Sequence, residues 1–247
     1  MQYNLAMNSA SYKKCVKQYN QKILGLWKPV FENTTKPTEK TNVEFKQFCF
    51  HVNQVESPIW FFGMNPSLID STNKFISQTT PPDKNLIEKL EKEQKYMHTK
   101  IQYFKRAKIF FENEVESPKS VVPIFHDLYP VRHTNQKEFV QFIKHEENKE
   151  FREKLDEATK ELIDGIMPDI IVIANAKASE LMQKIFFGRN EDKEDEFKVE
   201  TKRTYELNGK KTDMIFSSML SGQRALDTYS RSRLAREISE TWKSRNN

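Results

Sequence analysis

The run from Asp169 to Ala174 leaves a chain of this length few folds to choose from. It reads Asp-Ile-Ile-Val-Ile-Ala, apolar at every position after the first. A strand with one wet face alternates apolar and polar residues. A strand covered on both faces does not, and such strands belong to parallel sheets wrapped by helices. Two further apolar runs, Ile59 to Phe62 and Val121 to Phe125, read as strands of the same kind. Helical patterns separate them. Tyr12, Val16, Tyr19, Ile23, Leu26 and Trp27 have helical spacing in a segment that Ser9 or Ser11 can cap and that runs to about Phe31. Asn85 to Phe111 is a charged helix with apolar positions at Leu86, Leu90, Met97, Ile101 and Phe104. Gln136 to Gly165 holds one or two helices stopped by Gly165 and Pro168, and another helix runs from about Lys177 to Phe187. This alternation predicts an α/β fold, a three-layer α/β/α arrangement with a short, mainly parallel central sheet.

Polar segments punctuate this frame. Asn33 to Asn42, with Pro37, reads as a loop; Phe45 to Val52 fits a strand or a short helix; Gly188 to Glu196 reads as an acidic surface loop. Asn208-Gly209 is the usual two-residue hairpin turn, flanked by Lys198 to Leu207 and Lys211 to Phe216. Ser217 to Gly222 is another polar loop, and Asp227 starts a final helix to about Lys243. No internal repeat and no low-complexity tract interrupts the pattern. Residues 1–247 are expected to form one domain, with 1–57 as a helical extension packed on it.

Composition narrows the chemistry. Only 37% of residues are hydrophobic and 30% are charged, yet 18 Phe supply the bulk for a core. No apolar run reaches the length of a membrane span. Met1 to Tyr19 lacks a signal-peptide pattern, which predicts a cytoplasmic protein, read here as a monomer. The two cysteines, Cys15 and Cys49, lie far apart and outside metal-type spacing, so they read as plain thiols, with no metal or cofactor expected. Net charge is +5, and from Ser221 onward Arg224, Arg231, Arg233, Arg236, Lys243 and Arg245 face only Asp227, Glu237 and Glu240. Such a basic face suits a phosphate backbone, but from charge alone a solvated helix with ordinary surface charges is the favoured reading.

Gly63-Met64-Asn65-Pro66-Ser67 follows the strand Ile59 to Phe62. Gly63 tolerates backbone angles that other residues avoid, and Pro66 keeps Asn65 out of the helical region. A polar amide is thereby held stiffly at the carboxyl end of a strand, where open α/β sheets bind ligands. Two more polar loops follow strand ends: His126 to Pro130 and Ser217 to Gly222. In a parallel sheet these ends share one edge, so the three loops can meet in one cleft.

These loops resemble the motifs of the uracil-DNA glycosylase superfamily, nearest to its single-strand-selective monofunctional branch. That branch carries a first motif like Gly-Met-Asn-Pro-Gly, matched here by Gly63 to Ser67, and a second near His-Asn-Leu-Cys-Pro, matched by His126-Asp127-Leu128-Tyr129-Pro130. The superfamily's last motif, typically His-Pro-Ser-Pro, leads into a DNA-penetrating loop; here Met219-Leu220-Ser221-Gly222 precedes Gln223-Arg224. Motif order, spacing and strand context agree, and the resemblance runs from Ile59 to the C-terminus. No motif suggests the cysteine-liganded cluster of other branches.

The resemblance implies a base-flipping enzyme that cuts the bond between base and sugar in DNA, without metal or covalent nucleophile. Repair and defence against DNA with modified bases are both consistent with it. Asn65 would position the attacking water, since an amide orients but takes no proton. Asp70 could supply a carboxylate, or simply cap a turn with Ser71 and Thr72. Asp127 stands where uracil-specific relatives carry Asn. An ionised carboxylate repels uracil O4 but accepts from the exocyclic amine of cytosine. Protonated in a closed pocket, Asp127 can donate to cytosine N3 and so ease departure of the base. The expected substrate is therefore a cytosine-type base, modified cytosine ahead of uracil; the alternative for Asp127 is a loop cap or a pair with Arg132.

Gly63, Met64, Phe75, Phe125, His126 and Met219 are the candidates to line the base pocket, with Tyr129 a further ring that could stack. Ser67, Ser221, Gly222, Gln223, Arg224 and Arg231 are the candidates to hold the strand. Met219 departs from the resemblance: a thioether cannot donate to a base oxygen where the superfamily has His. That departure leaves a second reading open, a DNA-binding module on the same fold with weak or no catalysis.

Overall fold

The computed structural model describes residues 9–32, 56–64, 102–117, 120–130, 136–188, 201–220 and 226–246. Their elements are α1 (Ser9–Glu32), β1 (Ile59–Gly63), α2 (Gln102–Glu114), β2 (Ile124–Asp127), α3 (Gln136–Lys144), α4 (Lys149–Ile166), β3 (Ile170–Ala174), α5 (Ala176–Phe187), β4 (Lys202–Leu207), β5 (Lys210–Ser217) and α6 (Thr228–Asn246). The chain divides into two compact units: α1, α3 and α4 in one, the sheet with α2, α5 and α6 in the other.

The sheet has the order β2-β1-β3-β5-β4. β2, β1, β3 and β5 are parallel, and β4 lies antiparallel at the edge. The fold is α/β, as the unalternating apolar runs require: every residue of β1 and of β3 is buried. Burying Trp60, Phe61 or Phe62 removes a large apolar side chain from water, each worth about 2–3 kcal/mol. Phe61, Val172 and Ile215 share one face with Phe110 and Phe111 of α2 and with Leu234, Ile238 and Trp242 of α6. Phe61 stands edge-on to Phe111 at 6.1 Å. Phe216 points the other way and meets Phe187 of α5 at 6.5 Å, so α5 covers the opposite face. Asn208 and Gly209 both take positive φ, 52° and 76°, the pair of angles that joins β4 to β5 in a tight hairpin.

The second parallel strand begins later than its apolar run. Residues 121–123 are unpaired, and the ladder starts at Ile124. Pro123 has no N–H to give and closes the run to pairing. The strand continues instead through His126 and Asp127, which therefore belong to β2 and not to a loop after it.

In the helical unit, Tyr12, Val16, Tyr19 and Ile23 form the buried stripe of α1. It packs on α4, whose buried residues include Leu155, Leu162 and Ile166. Lys22 bridges Glu157 at 3.3 Å and Glu161 at 2.8 Å at the rim. The segment from 136 holds two helices, and α4 runs through Gly165 to Ile166. Gly165 does not stop the helix: a Cβ there would lie 2.8 Å from Cys15 Sγ, so it lets α1 approach. Met167, at φ 51°, and Pro168 end the helix. Among the described residues no helix is long and apolar enough to cross a membrane.

Candidate functional site

The strand order reverses between β1 and β3: the connection from β1 leads to β2 on one side, and that from β3 to β5 on the other. Ligands of open parallel sheets bind outside the carboxyl ends of the strands at such a reversal. β1 ends there at Gly63 and β3 at Ala174. Parallel register brings the ends of β2 and β5 to the same edge, with Gly63 beside Asp127 and Ala174 beside Ser217. The Leu128 N–H donates to the Gly63 carbonyl at 3.0 Å, extending this ladder by one rung.

Asp127 is half-buried, and Gly63 brings no side chain to the position beside it. Strand alternation turns Asp127 to the face of Phe125 and His126 to the other face. Phe125 is interior, 5.5 Å from the ring of Phe61 within the cluster under α2 and α6, a core position and not an open platform for a base. His126 is buried edge-on to Phe62 at 5.0 Å and Trp60 at 6.4 Å. Met64 is buried at the end of β1, and Met219 is half-buried, its carbonyl accepting from the Leu226 N–H at 2.9 Å. Tyr129, in the helical unit, is fully buried: its phenol donates to Asp156 at 2.8 Å and its ring packs on Phe139. Burial, with the Asp156 carboxylate, holds that phenol well above its ordinary pKa. Asn65, Ser67, Asp70, Phe75, Arg132, Ser221, Gly222, Gln223 and Arg224 lie outside the described residues.

The basic character of the C-terminal segment is largely internal. Arg231 pairs with Glu114 at 2.5 Å and lies over the Phe110 ring at 5.4 Å. Lys243 pairs with Glu116, Arg245 with Asp213 at 2.7 Å, and Arg236 approaches Glu240 at 4.0 Å. Arg231 ties α6 to α2, Lys243 ties it to Glu116 just past that helix, Arg245 ties it to β5, and Arg236 pairs within α6; the Arg231 guanidinium, expected to hold the strand, is engaged by Glu114.

A cleft of about 310 Å³ opens at the ends of β3 and β5. Ser217 and Ser218 line it together with Arg233 and Glu237 of α6, and Phe216, Leu226 and Leu234 add apolar surface. Burial raises the Glu237 carboxyl above its ordinary range, against the pull of Lys202 and Arg233. Asn175 is not available to this space: its side chain caps α5, accepting from the N–H groups of Lys177 at 3.0 Å and Ala178 at 3.1 Å. Ser217 and Ser218 belong to the loop after β5, one of the three sequence-derived candidates, whereas Arg233 and Glu237 come from outside those loops. Their signal was present as spacing, because Ser230, Arg233, Leu234 and Glu237 share one face of a helix that Asp227 starts. Searches against protein-family models and curated proteins find no match.

Proposed function

We propose that the chain is a monofunctional DNA glycosylase that extrudes an altered pyrimidine, a cytosine-type base in preference to uracil, and hydrolyses its bond to the sugar. The observation that carries this reading is the register of Gly63 with Asp127 at the carboxyl edge of the sheet, beside the strand-order reversal between β1 and β3. The two motifs that resemble the glycosylase superfamily, beginning at Gly63 and His126, thus leave the sheet as neighbours. The loop that begins at Ser217 leaves from the same edge.

On this reading the Asn65 amide orients a water toward the sugar carbon. The water oxygen bonds to that carbon, the bond to the base breaks, and its electron pair stays with the base. Asp127 in its protonated form gives its proton to cytosine N3 and accepts from the exocyclic amine, and the water's spare proton leaves to solvent. The product is an abasic site and a free neutral base.

Base release from single- and double-stranded oligonucleotides carrying uracil, cytosine or modified cytosines tests the proposal, with Asn65→Ala and Asp127→Asn alongside wild type. Release of a cytosine-type base that both variants lose supports it. Strong preference for uracil defeats the substrate assignment, and DNA binding with no release from any substrate defeats the catalytic one. The half-buried thioether of Met219 favours that last outcome as a second reading, a DNA-binding module without catalysis.

A further inference from the structure

We infer that the cleft beside β5 binds a nucleoside monophosphate whose base carries an exocyclic amine, with Arg233 on the phosphate and Glu237 on the amine. The inference rests on the cleft alone and does not depend on base release.

Arg233 and Glu237 stand one turn apart on α6, the spacing at which opposite charges on a helix usually pair. Here they do not: among the described residues neither side chain has a hydrogen bond or contact ion pair, Glu237 feeling Lys202 and Arg233 only through their charge, although four other basic residues of α6 are paired. Both line the same cleft. Glu237 is half-buried and Arg233 exposed, so neither charged group is shut away from an occupant of the cleft. An occupant that satisfies both groups needs an anion at one point and a hydrogen-bond donor at another.

Size and surface narrow the class. About 310 Å³ sits at the lower end of small-molecule sites and exceeds what a simple zwitterion such as an amino acid fills. The lining is mixed, with Ser217 and Ser218 alongside the apolar side chains of Phe216, Leu226 and Leu234. A flat base against the apolar wall, with hydroxyls and a guanidinium at the phosphate, uses every part of it. A carboxylate accepts from the amines of cytosine, adenine or guanine, whereas uracil sets a carbonyl oxygen against it. The same unit occurs as a free nucleotide or as one residue of a single strand.

Calorimetric titration with CMP, AMP, GMP, UMP and the corresponding nucleosides decides the matter. At least one amine-bearing monophosphate is expected to bind tenfold or more tightly than UMP, and tenfold or more tightly than its own nucleoside. Arg233→Ala erases the preference for phosphate, and Glu237→Gln erases the preference for the amine. Both sites are on the surface of α6, and circular dichroism checks that the helix is retained. A cytosine-containing single strand that displaces the nucleotide identifies the strand as the source; failure to displace identifies the free nucleotide. Absence of binding by all four monophosphates, or base and phosphate preferences that survive both substitutions, overturns the inference.

Discussion

Gly63 and Asp127 are register partners on the last rung of the β1–β2 ladder, where the Leu128 N–H donates to the Gly63 carbonyl at 3.0 Å. Backbone bonds therefore fix where the Asp127 carboxyl stands, independently of its own chemistry. Asp127→Asn keeps the shape and removes the acid. Under the proposed reaction this variant loses about 100-fold or more in release of cytosine-type bases, the scale of a general-acid contribution. Its uracil release rises relative to that of cytosine, because an amide can donate to O4. Single-turnover release rates on paired substrates measure this; undiminished cytosine-type release would exclude Asp127 as the acid.

Arg231→Ala tests whether the C-terminal charges serve DNA or the fold. Its guanidinium is engaged by Glu114 and lies over Phe110. The variant is expected to lose about 1 kcal/mol of stability, the sum expected of a half-exposed ion pair and a cation–π contact. The dependence of DNA affinity on salt should stay as it is, whereas removal of a phosphate contact lowers that slope by about one unit. Urea melts and binding isotherms at several salt concentrations separate the two roles.

Much of the sheet was legible from residue pattern, and the reasons are local. β1 and β3 are buried on both faces and their sequences say so; Asn208-Gly209 demands positive φ and obtains it. β2 was misaligned because hydrophobicity located the run while Pro123 and register with β1 determined the strand. Gly165 was read through its usual part as a helix stop, whereas its cause is Cys15, 150 residues earlier by number and invisible to any local window. Tyr129 and Phe125 looked like candidates for stacking because aromatic rings at strand ends serve either core or ligand, and only burial distinguishes them. Nothing local marks Arg233 as unpaired, since Arg231 and Arg245 find their partners on α2 and β5, far from them in sequence.

Gly165→Ala adds the atom that the α1–α4 contact has no room for. The new Cβ meets Cys15 Sγ at 2.8 Å and Cys15 Cβ at 3.6 Å, so only the sulfur must move. Overpacking of this kind costs about 1–3 kcal/mol, and the helical preference of alanine over glycine recovers less than that. Cys15→Ala removes the sulfur, and the double variant is expected to regain most of the loss. A double-mutant cycle from denaturant melts gives the coupling; additive effects would mean that the two helices do not meet at this pair.

Arg245 holds the Asp213 carboxylate at 2.7 Å through Nε while its Nη1 donates to the Lys211 carbonyl at 2.7 Å. Thr204 Oγ1 donates to the other carboxylate oxygen at 2.6 Å. Burial alone would raise the Asp213 pKa, but the bonds from Arg245 and Thr204, with the charges of Arg245 and Lys202, outweigh it and hold the carboxyl below its ordinary value. A depressed folded pKa gives stability that is present above the unfolded value, about 3.9, and is lost as pH falls through the lower, folded one. Asp169 works with the opposite sign: burial raises its pKa, so acid relieves it. Arg245→Gln should therefore cost about 3 kcal/mol at pH 7, as expected when a largely buried pair loses one partner. That gap should shrink as pH falls below the ordinary carboxylate range and Asp213 protonates in wild type. Urea midpoints for both proteins as pH is lowered provide the check. A gap at pH 2 as wide as at pH 7 would mean that Arg245 stabilises the edge of the sheet through the Lys211 carbonyl and packing, and not through the charge of Asp213.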